Sequence, residues 1–309
     1  MNKEEIKSFD NIKAIFGDRY MADTSCASFT TAKIGGIADH IIIARSKDEL
    51  IQCITFFCKE NIPFRIIGNG SNVLISDKGI RGVLIINQAK DMIISKDSQP
   101  PSITIDAGAL LSNAANQAAQ QGLSGLEWAA YIPGTVGGAI YGNAGAHGCD
   151  ISNMLEMVEI LQPDNKIENW SSDQMQYSYR SSRLKRDRMK AVILSAQLNL
   201  SLSTVENVNK RMKEIIDHRR KIQPPGASMG SMFKNPPGDH AARLIEACGL
   251  KGKRIGGAEI SPVHANFFIN HDGTTAEDTK QLIEIVKNNV IEKFDVELEL
   301  EIEFLGEWK

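Results

Sequence analysis

Three short stretches carry side chains able to stabilise charge or move a proton. "QYSYRSS" (176–182) sets Arg180 among small hydroxyls and two tyrosines. A guanidinium keeps its charge and presents its donors as a fork, which suits a carboxylate or an enolate, although a surface arginine is the commoner case. "GASMGSMFKNP" (226–236) holds Ser231 between Gly230 and Met232, with Lys234 and Asn235 just beyond. It lacks the G-x-S-x-G elbow and no cue pairs it with a histidine, so proton donation to a strongly basic carbon suits the hydroxyl better than nucleophilic attack. "DVELELEIEF" (295–304) spaces Asp295, Glu297, Glu299, Glu301 and Glu303 two residues apart, with aliphatics between. A period of two predicts a half-buried strand with every carboxylate on one face. By pattern alone the row is a wet face, and nothing in it selects one carboxylate as an acid.

Two glycine-rich stretches could hold a ligand for these groups to act on. In "IIGNGSNVLIS" (66–76) a strand ends, Gly68 and Gly70 bracket Asn69, and a new strand resumes at once. Such a turn can present consecutive backbone N–H groups to a phosphate, although an ordinary tight hairpin would use the same residues. It is neither a Rossmann fingerprint nor a Walker A loop, because the G-x-G-x-x-G spacing and the lysine are missing. "GLEWAAYIPGTVGGAIYGNAGAHG" (125–148) repeats glycine among small and apolar residues, so backbone could approach a flat ligand or a pyrophosphate closely. An ordered loop of that length tends to be functional.

These stretches sit in α+β surroundings. Strands are expected at 39–45, 64–67 and 82–86, with a helix over 46–61 opened by a capping box of Ser46 and Glu49. Next come a strand at 102–108, a helix over 110–121 and strands at 154–161 and 191–200. A helix over 203–221, with a capping box of Ser203 and Glu206, leads to a short helix closed by Gly249, a strand at 265–270 and a helix over 275–294 that delivers the chain to the acidic row. Borders are expected near 1–88, 89–202, 203–296 and 297–309.

With 309 residues, 42% of them hydrophobic, and a net charge of -3, the chain can bury a sizeable core and has no excess of positive charge for a dedicated nucleic-acid binder. The basic clusters "YRSSRLKRDRMK" and "KRMKEIIDHRRK" read as solvated faces or small anion sites. "MNKEEIKSFD" has no apolar leader and no run approaches a membrane span, so a cytoplasmic location is expected. Cys26, Cys53, Cys58, Cys149 and Cys248 are scattered and odd in number, which predicts free thiols; no histidine has trustworthy metal spacing.

"GNGSNVLIS", "IPGTVGGAIYGNAGAHG", "YSYRSS", "GSMFKNP", "GGAEISPVHANFFIN" and "EIEFLG", in this order and spanning residues 24 to 306, resemble the UDP-N-acetylenolpyruvoylglucosamine reductase family of bacterial peptidoglycan synthesis. The resemblance implies a PCMH-type FAD-binding fold of two α+β subdomains plus a C-terminal α+β substrate-binding domain. It implies non-covalent FAD, NADPH as hydride donor and UDP-N-acetylglucosamine enolpyruvate as substrate, with no metal, nucleic acid, membrane or obligatory protein partner. On the family's pattern the catalytic arginine, serine and glutamate fall on Arg180, Ser231 and Glu301, leaving the other glutamates as solvent-facing or supporting groups. The flavin would be bracketed by Ile67, Gly68, Asn69, Gly70, Ser71 and Asn72 and by Glu127, Pro133, Gly134, Gly137, Gly138, Asn143, Ala144 and Gly145. Tyr179, Lys234 and Asn235 would touch substrate. Burial and neighbouring glutamates would both raise the Glu301 pKa. The short interval between Arg180 and Ala191 resembles the type II form. Met229 and "QPPGAS" depart from the family pattern, while Ser231 matches it. A covalent tether through His147 or Cys149, as in other oxidases of this fold, is not expected.

Overall fold

The computed structural model describes residues 12–308; the start of the chain, where no leader is expected, and Lys309 lie outside the described residues. The first unit contains β1 (Tyr20–Ser25), β2 (Ile37–Ala44), α1 (Lys47–Lys59), β3 (Phe64–Ile67), β4 (Val73–Ile75) and β5 (Ile80–Asn87). Its sheet runs β1-β2-β5-β3, with β1 antiparallel to β2 and the other neighbours parallel. Buried faces of β2 and β5 (Ile42, Val83, Ile85) take the apolar stripe of α1 (Leu50, Cys53, Ile54, Phe57). Ser46 caps α1 by accepting from Glu49 N–H, as expected. The reciprocal half of the box is different: Glu49 accepts from the Arg45 N–H at 2.7 Å.

The second unit adds β6 (Met92–Ser95), β7 (Ser102–Asp106), α2 (Leu111–Gln120), β8 (Leu123–Ser124), α3 (Val136–Gly142), β9 (Gly145–Ala146), β10 (Cys149–Asp150), β11 (Leu155–Leu161), β12 (Ile167–Ser171), α4 (Ser172–Met175), α5 (Arg183–Arg186), β13 (Val192–Asn199) and β14 (Ser201–Leu202). The β12-β11-β13-β7-β6 sheet is antiparallel throughout. Lys47 of α1 meets Glu159 of β11 at 2.8 Å, and the Ser195 hydroxyl donates to the same carboxylate, tying the first two units.

α6 (Val205–Ile222) follows and packs into the second unit's core through Val208 and Met212, so the border expected near 203 does not separate it from that core; the third unit comprises α7 (Ala241–Ala247), β15 (Arg254–Ile255), β16 (Ala258–Ile260), β17 (Phe268–Asn270), α8 (Ala276–Phe294) and β18 (Glu303–Leu305). α6 starts one residue later than the expected capping box requires: Thr204, not Ser203, is the cap, and its hydroxyl accepts from Asn207 N–H. Met229, unusual by the family pattern, is buried in the core of this unit.

Third-unit residues share that core with Ala32, Ile34 and Leu74 of the first unit. Asp77, in the turn after β4, caps α8 by accepting from the Ala276 and Glu277 N–H groups at 2.8 and 3.0 Å. Caps of this kind stabilise by about 1 kcal/mol. Thr31 donates to the Ser228 carbonyl and Asn270 to the Ala32 carbonyl. The loop carrying Ser231 is therefore anchored from two sides.

The acidic row departs from the predicted strand. Asp295 adopts the left-handed conformation that ends α8 (φ 54°), and ladder pairing is confined to Glu303–Leu305, parallel to β4. Between them the chain runs extended beside 232–234: Glu301 N–H donates to Met232 O and Lys234 N–H to Glu299 O. The alternation survives without a full ladder, because Leu298 and Ile302 are buried while Glu297 and Glu299 are exposed.

Candidate active site

The turn Ile67–Asn72 is not a hairpin: β3 pairs with β5, whereas β4 pairs with β18. Gly70 is left-handed (φ +57°), and a Cβ there would lie 2.2 Å from Phe29 O. A Cβ on Gly68 would lie 2.3 Å from Thr135 Oγ1, so this turn abuts the second glycine segment backbone to side chain. Gly134 (φ +110°) closes the same contact from the other side, a Cβ there falling 2.7 Å from Ser71 Oγ.

The second segment is more ordered than a long loop. Glu127 is buried and accepts from the Ser124 hydroxyl and the Gly125 N–H, both at 2.7 Å. Thr135 caps α3, and left-handed Asn143 ends it. Asn143 donates to Ser178 O and accepts from Ser152 N–H, so its amide fixes the segment beneath the Arg180 turn. Pro133 and Gly138 are exposed, Gly137 lies against Ala107, and Ala144 and Gly145 are partly buried. With Glu127 and Asn143 engaged inside the protein, the backbone is what the segment can offer a ligand.

The donors of these residues fit FAD. The backbone N–H groups of Asn69, Gly70, Ser71 and Asn72 have no protein acceptor among the described residues. Four successive unengaged N–H groups on a glycine-permitted turn fit the diphosphate of a dinucleotide. Gly68→Ala is expected to drive the two glycine segments apart; overpacking of this kind costs about 1–3 kcal/mol, and flavin affinity should fall about tenfold or more. Flavin released on dilution, followed by absorbance, checks this.

Reciprocal hydrogen bonds between Ser178 and Ser181 make a tight turn with Arg180 at its tip, at φ 54°. Side chains with β-carbons pay strain in that region, about 1–3 kcal/mol, so the surroundings must hold it there. Arg180 Nη2 donates to Gly145 O at 2.7 Å, and its Nε lies 2.9 Å from Glu301 Oε1. That Nε contact is close but poorly directed for a hydrogen bond, so it acts chiefly as a contact of charges. The guanidinium also lies over the Tyr179 ring, 5.2 Å from its centroid.

In the acidic row, Glu301 has its pKa raised above the ordinary carboxylate value. Burial pushes it up, opposed by Arg180, Lys185 and Lys234. The expected help from neighbouring glutamates is absent from these causes, because Glu299 is paired with Lys234 at 3.0 Å and Glu303 with Lys185 at 2.7 Å. Lys185 lies in a cluster expected to be a solvated face, yet its side chain is only 17% exposed. A charged residue at that spacing from Arg180 carried no sequence signal of burial.

Ser231 follows left-handed Gly230 and bridges to Phe267, while Met232 N–H donates to Asn266 O. Asn266 also clamps Phe233 by accepting from its N–H and donating to its carbonyl. No protein group hydrogen-bonds the Ser231 hydroxyl among the described residues, so it is free to donate to a ligand. Tyr179, Lys234, Asn235, Pro236, Pro237, Glu297 and Glu299 line a cavity of ≈ 510 Å³. The Asn235 N–H reaches the Tyr179 hydroxyl at 3.4 Å. Structure thus brings Arg180, Glu301, Tyr179 and Lys234 together, with Ser231 joined through the Met232–Glu301 backbone bond. His147 is exposed and its ring faces His218; Cys149 and the other cysteines are free thiols.

Residues 38–171 match the family model described as FAD binding domain, and residues 221–305 match the model described as UDP-N-acetylenolpyruvoylglucosamine reductase, C-terminal domain. The reductase of that name from Caldicellulosiruptor saccharolyticus is 42% identical over 94% of this chain and 93% of its own. The Bacillus subtilis reductase is 40% identical over 93% of this chain and 94% of its own. The solved structure of the reductase from Thermus caldophilus superposes with a TM-score of 0.75 at 32% identity, covering 92% of this chain and 97% of that one.

Proposed function

The chain belongs to the UDP-N-acetylenolpyruvoylglucosamine reductase family, an FAD-dependent oxidoreductase family of peptidoglycan precursor synthesis, and from that premise we propose that it reduces UDP-N-acetylglucosamine enolpyruvate to UDP-N-acetylmuramate with NADPH as reductant. The observation that carries this reading is the Arg180–Glu301 contact at 2.9 Å, with the Glu301 N–H donating to the carbonyl of Met232, the residue next to Ser231.

The turn Ile67–Asn72 and the segment Glu127–Gly145 would hold FAD, which would supply hydride transfer between NADPH and substrate. Hydride arriving at the terminal carbon of the enolpyruvyl ether leaves negative charge on the carbon beside the carboxylate and on the carboxylate itself. Arg180 stabilises that charge, and does so more strongly as it accumulates, which is the requirement for lowering a barrier. Protonated Glu301 donates to the developing oxyanion. Ser231 gives its proton to the carbon beside the carboxylate, completing the addition, and solvent or Glu301 restores it. Tyr179, Lys234 and Asn235 orient the substrate, Lys234 as a cation for a phosphate oxygen. No insertion separates Arg180 from β13 beyond the short helix α5, which supports the type II form. Two flavin-binding subdomains, 1–88 and 89–202, a substrate-binding unit 203–296 and a C-terminal strand 297–309 are the proposed division. A soluble UDP-sugar substrate suits a cytoplasmic enzyme with no membrane, nucleic-acid or obligatory protein partner.

Since Glu301 works only while it carries its proton, and burial holds that proton to higher pH than for an ordinary carboxyl, turnover should fall as pH rises through the raised pKa. Lys185→Met removes a cation that lowers this pKa, so the inflection should move upward. In Glu301→Gln it should vanish. A rise of turnover with pH through this inflection, in place of a fall, would mean that Glu301 works as the anion.

An anaerobic titration tests the whole reaction. NADPH should bleach the oxidised flavin spectrum and the enolpyruvyl substrate should restore it. Bleaching without recovery would keep the flavoenzyme and reject the substrate.

A further inference from the structure

The ladder between β4 and β18 changes donor at its first step. Its bonds recur every second residue along each strand, as in any parallel pair. Ser76 N–H donates to Leu305 O and, at the other end, Glu303 N–H donates to Asn72 O, both at 2.9 Å. One further step back would send the Asn72 N–H to Glu301 O. The Asn72 side chain takes that acceptor instead, Nδ2 donating to Glu301 O at 3.0 Å, and the Asn72 N–H has no protein acceptor among the described residues.

This exchange meets two needs at once. The Asn72 N–H stays with those of Asn69, Gly70 and Ser71 that fit a diphosphate, while the Glu301 carbonyl keeps a donor. Glu301 is thereby held through both of its backbone groups, its N–H by Met232 O at 2.9 Å, next to Ser231, and its carbonyl by the glycine turn. Ile302, which follows, is buried, so the backbone here cannot rotate without giving up one of these contacts. Asparagine suits the place because its amide carries a peptide-like donor on a short arm. The bond is exposed and worth little to the fold. What it fixes is the direction from which the carboxyl meets Arg180, 2.9 Å away.

We propose that Asn72 is a positioning residue for Glu301: its side-chain amide replaces the ladder bond that its N–H would make, so that one turn serves the flavin with its backbone and aims the carboxyl of Glu301 with its side chain. The inference rests on the reduction proposed above, in which Glu301 acts on the enolpyruvyl substrate. An amide at this place can also serve a flavin phosphate, and the test separates the two roles.

Asn72→Ala would be prepared alone and together with Glu301→Gln, each saturated with flavin, and the two half-reactions followed by rapid mixing beside the flavin dissociation constant. In Asn72→Ala, reoxidation by UDP-N-acetylglucosamine enolpyruvate should slow about 3- to 10-fold, the scale of one hydrogen bond expressed in a barrier, with reduction by NADPH unchanged. The flavin dissociation constant should stay within about threefold of wild type. Added to Glu301→Gln, the same substitution should slow reoxidation by less than about twofold, because it acts through the carboxyl already removed. Asn72→Ser, which keeps a donor on a shorter arm, carries the comparison if the alanine variant does not retain flavin. Equal slowing in both backgrounds, or slowing of both half-reactions alike, overturns the inference, since a general loosening of the turn would produce either. A flavin dissociation constant raised about tenfold or more, with the saturated enzyme reoxidised at the wild-type rate, overturns it too and assigns the amide to the flavin. If the substrate does not reoxidise wild type that NADPH has bleached, the substrate reading fails first and takes the inference with it.

Discussion

Ser231→Ala is expected to lower kcat by about 10²- to 10⁴-fold, the usual contribution of a positioned general acid, with flavin content and thermal unfolding close to wild type. The hydroxyl makes no hydrogen bond among the described residues, so its removal leaves none of them unpaired. The backbone around it is fixed independently by the Ser231–Phe267 bridge, the Met232–Asn266 bond and the two-sided clamp of Asn266 on Phe233. Rapid mixing locates the defect. Flavin reduction by NADPH should keep its rate, because no proton is delivered to carbon in that half, whereas reoxidation by the enolpyruvyl substrate should slow by the full factor. Reoxidation within about tenfold of wild type would place the proton donor elsewhere.

Arg180→Lys should reduce kcat by about 10²- to 10³-fold, the scale seen when one donor to a developing oxyanion is removed. Lysine keeps the charge and meets the same backbone strain at φ 54°, so the turn held by Ser178 and Ser181 should persist. What lysine lacks is the rigid fork. One ammonium cannot reproduce the planar arrangement that meets Gly145 O, faces Glu301 and still offers a nitrogen to substrate. Steady-state rates with flavin content as control decide the matter. A lysine variant of near-normal activity would show that positive charge alone suffices, and that the directed geometry is incidental.

Both predictions concern residues whose types are visible in the chain but whose company is not. Arg180 sits 51 positions before Ser231 and 121 before Glu301 by their numbers in the sequence, and no local pattern links the three. The acidic row shows the division clearly. Its alternation correctly separates Leu298 and Ile302 from the exposed glutamates, because an extended chain turns successive side chains to opposite sides whether or not it is laddered. The same alternation wrongly predicts a continuous strand, because pairing depends on what lies alongside, and beside 297–301 lies only the short stretch 232–234. Equally, the glycines announce close backbone approach, but only the fold reveals that Gly68 meets Thr135 and that no hairpin joins β3 to β4.

The basic clusters mark where sequence reading ends. Lys185 and Arg219 each lie in a run of charges that is ordinarily solvated, and nothing in the run distinguishes them from Arg186 or Arg220. Partial burial of one member follows from which face of α5 or α6 packs inward, and that is a property of the neighbouring elements. By itself the sequence determined the local matters: the α+β element order, the apolar faces, the glycine turns and the identities of the groups able to do acid or electrostatic work. Those depend on side-chain chemistry and on periodicities of two and 3.6. Only the tertiary structure decided that Glu301 is the member of the row that stands against Arg180, where burial raises its pKa. Solvation and distance between remote residues are set by how three units share a core, and no stretch of chain records them alone.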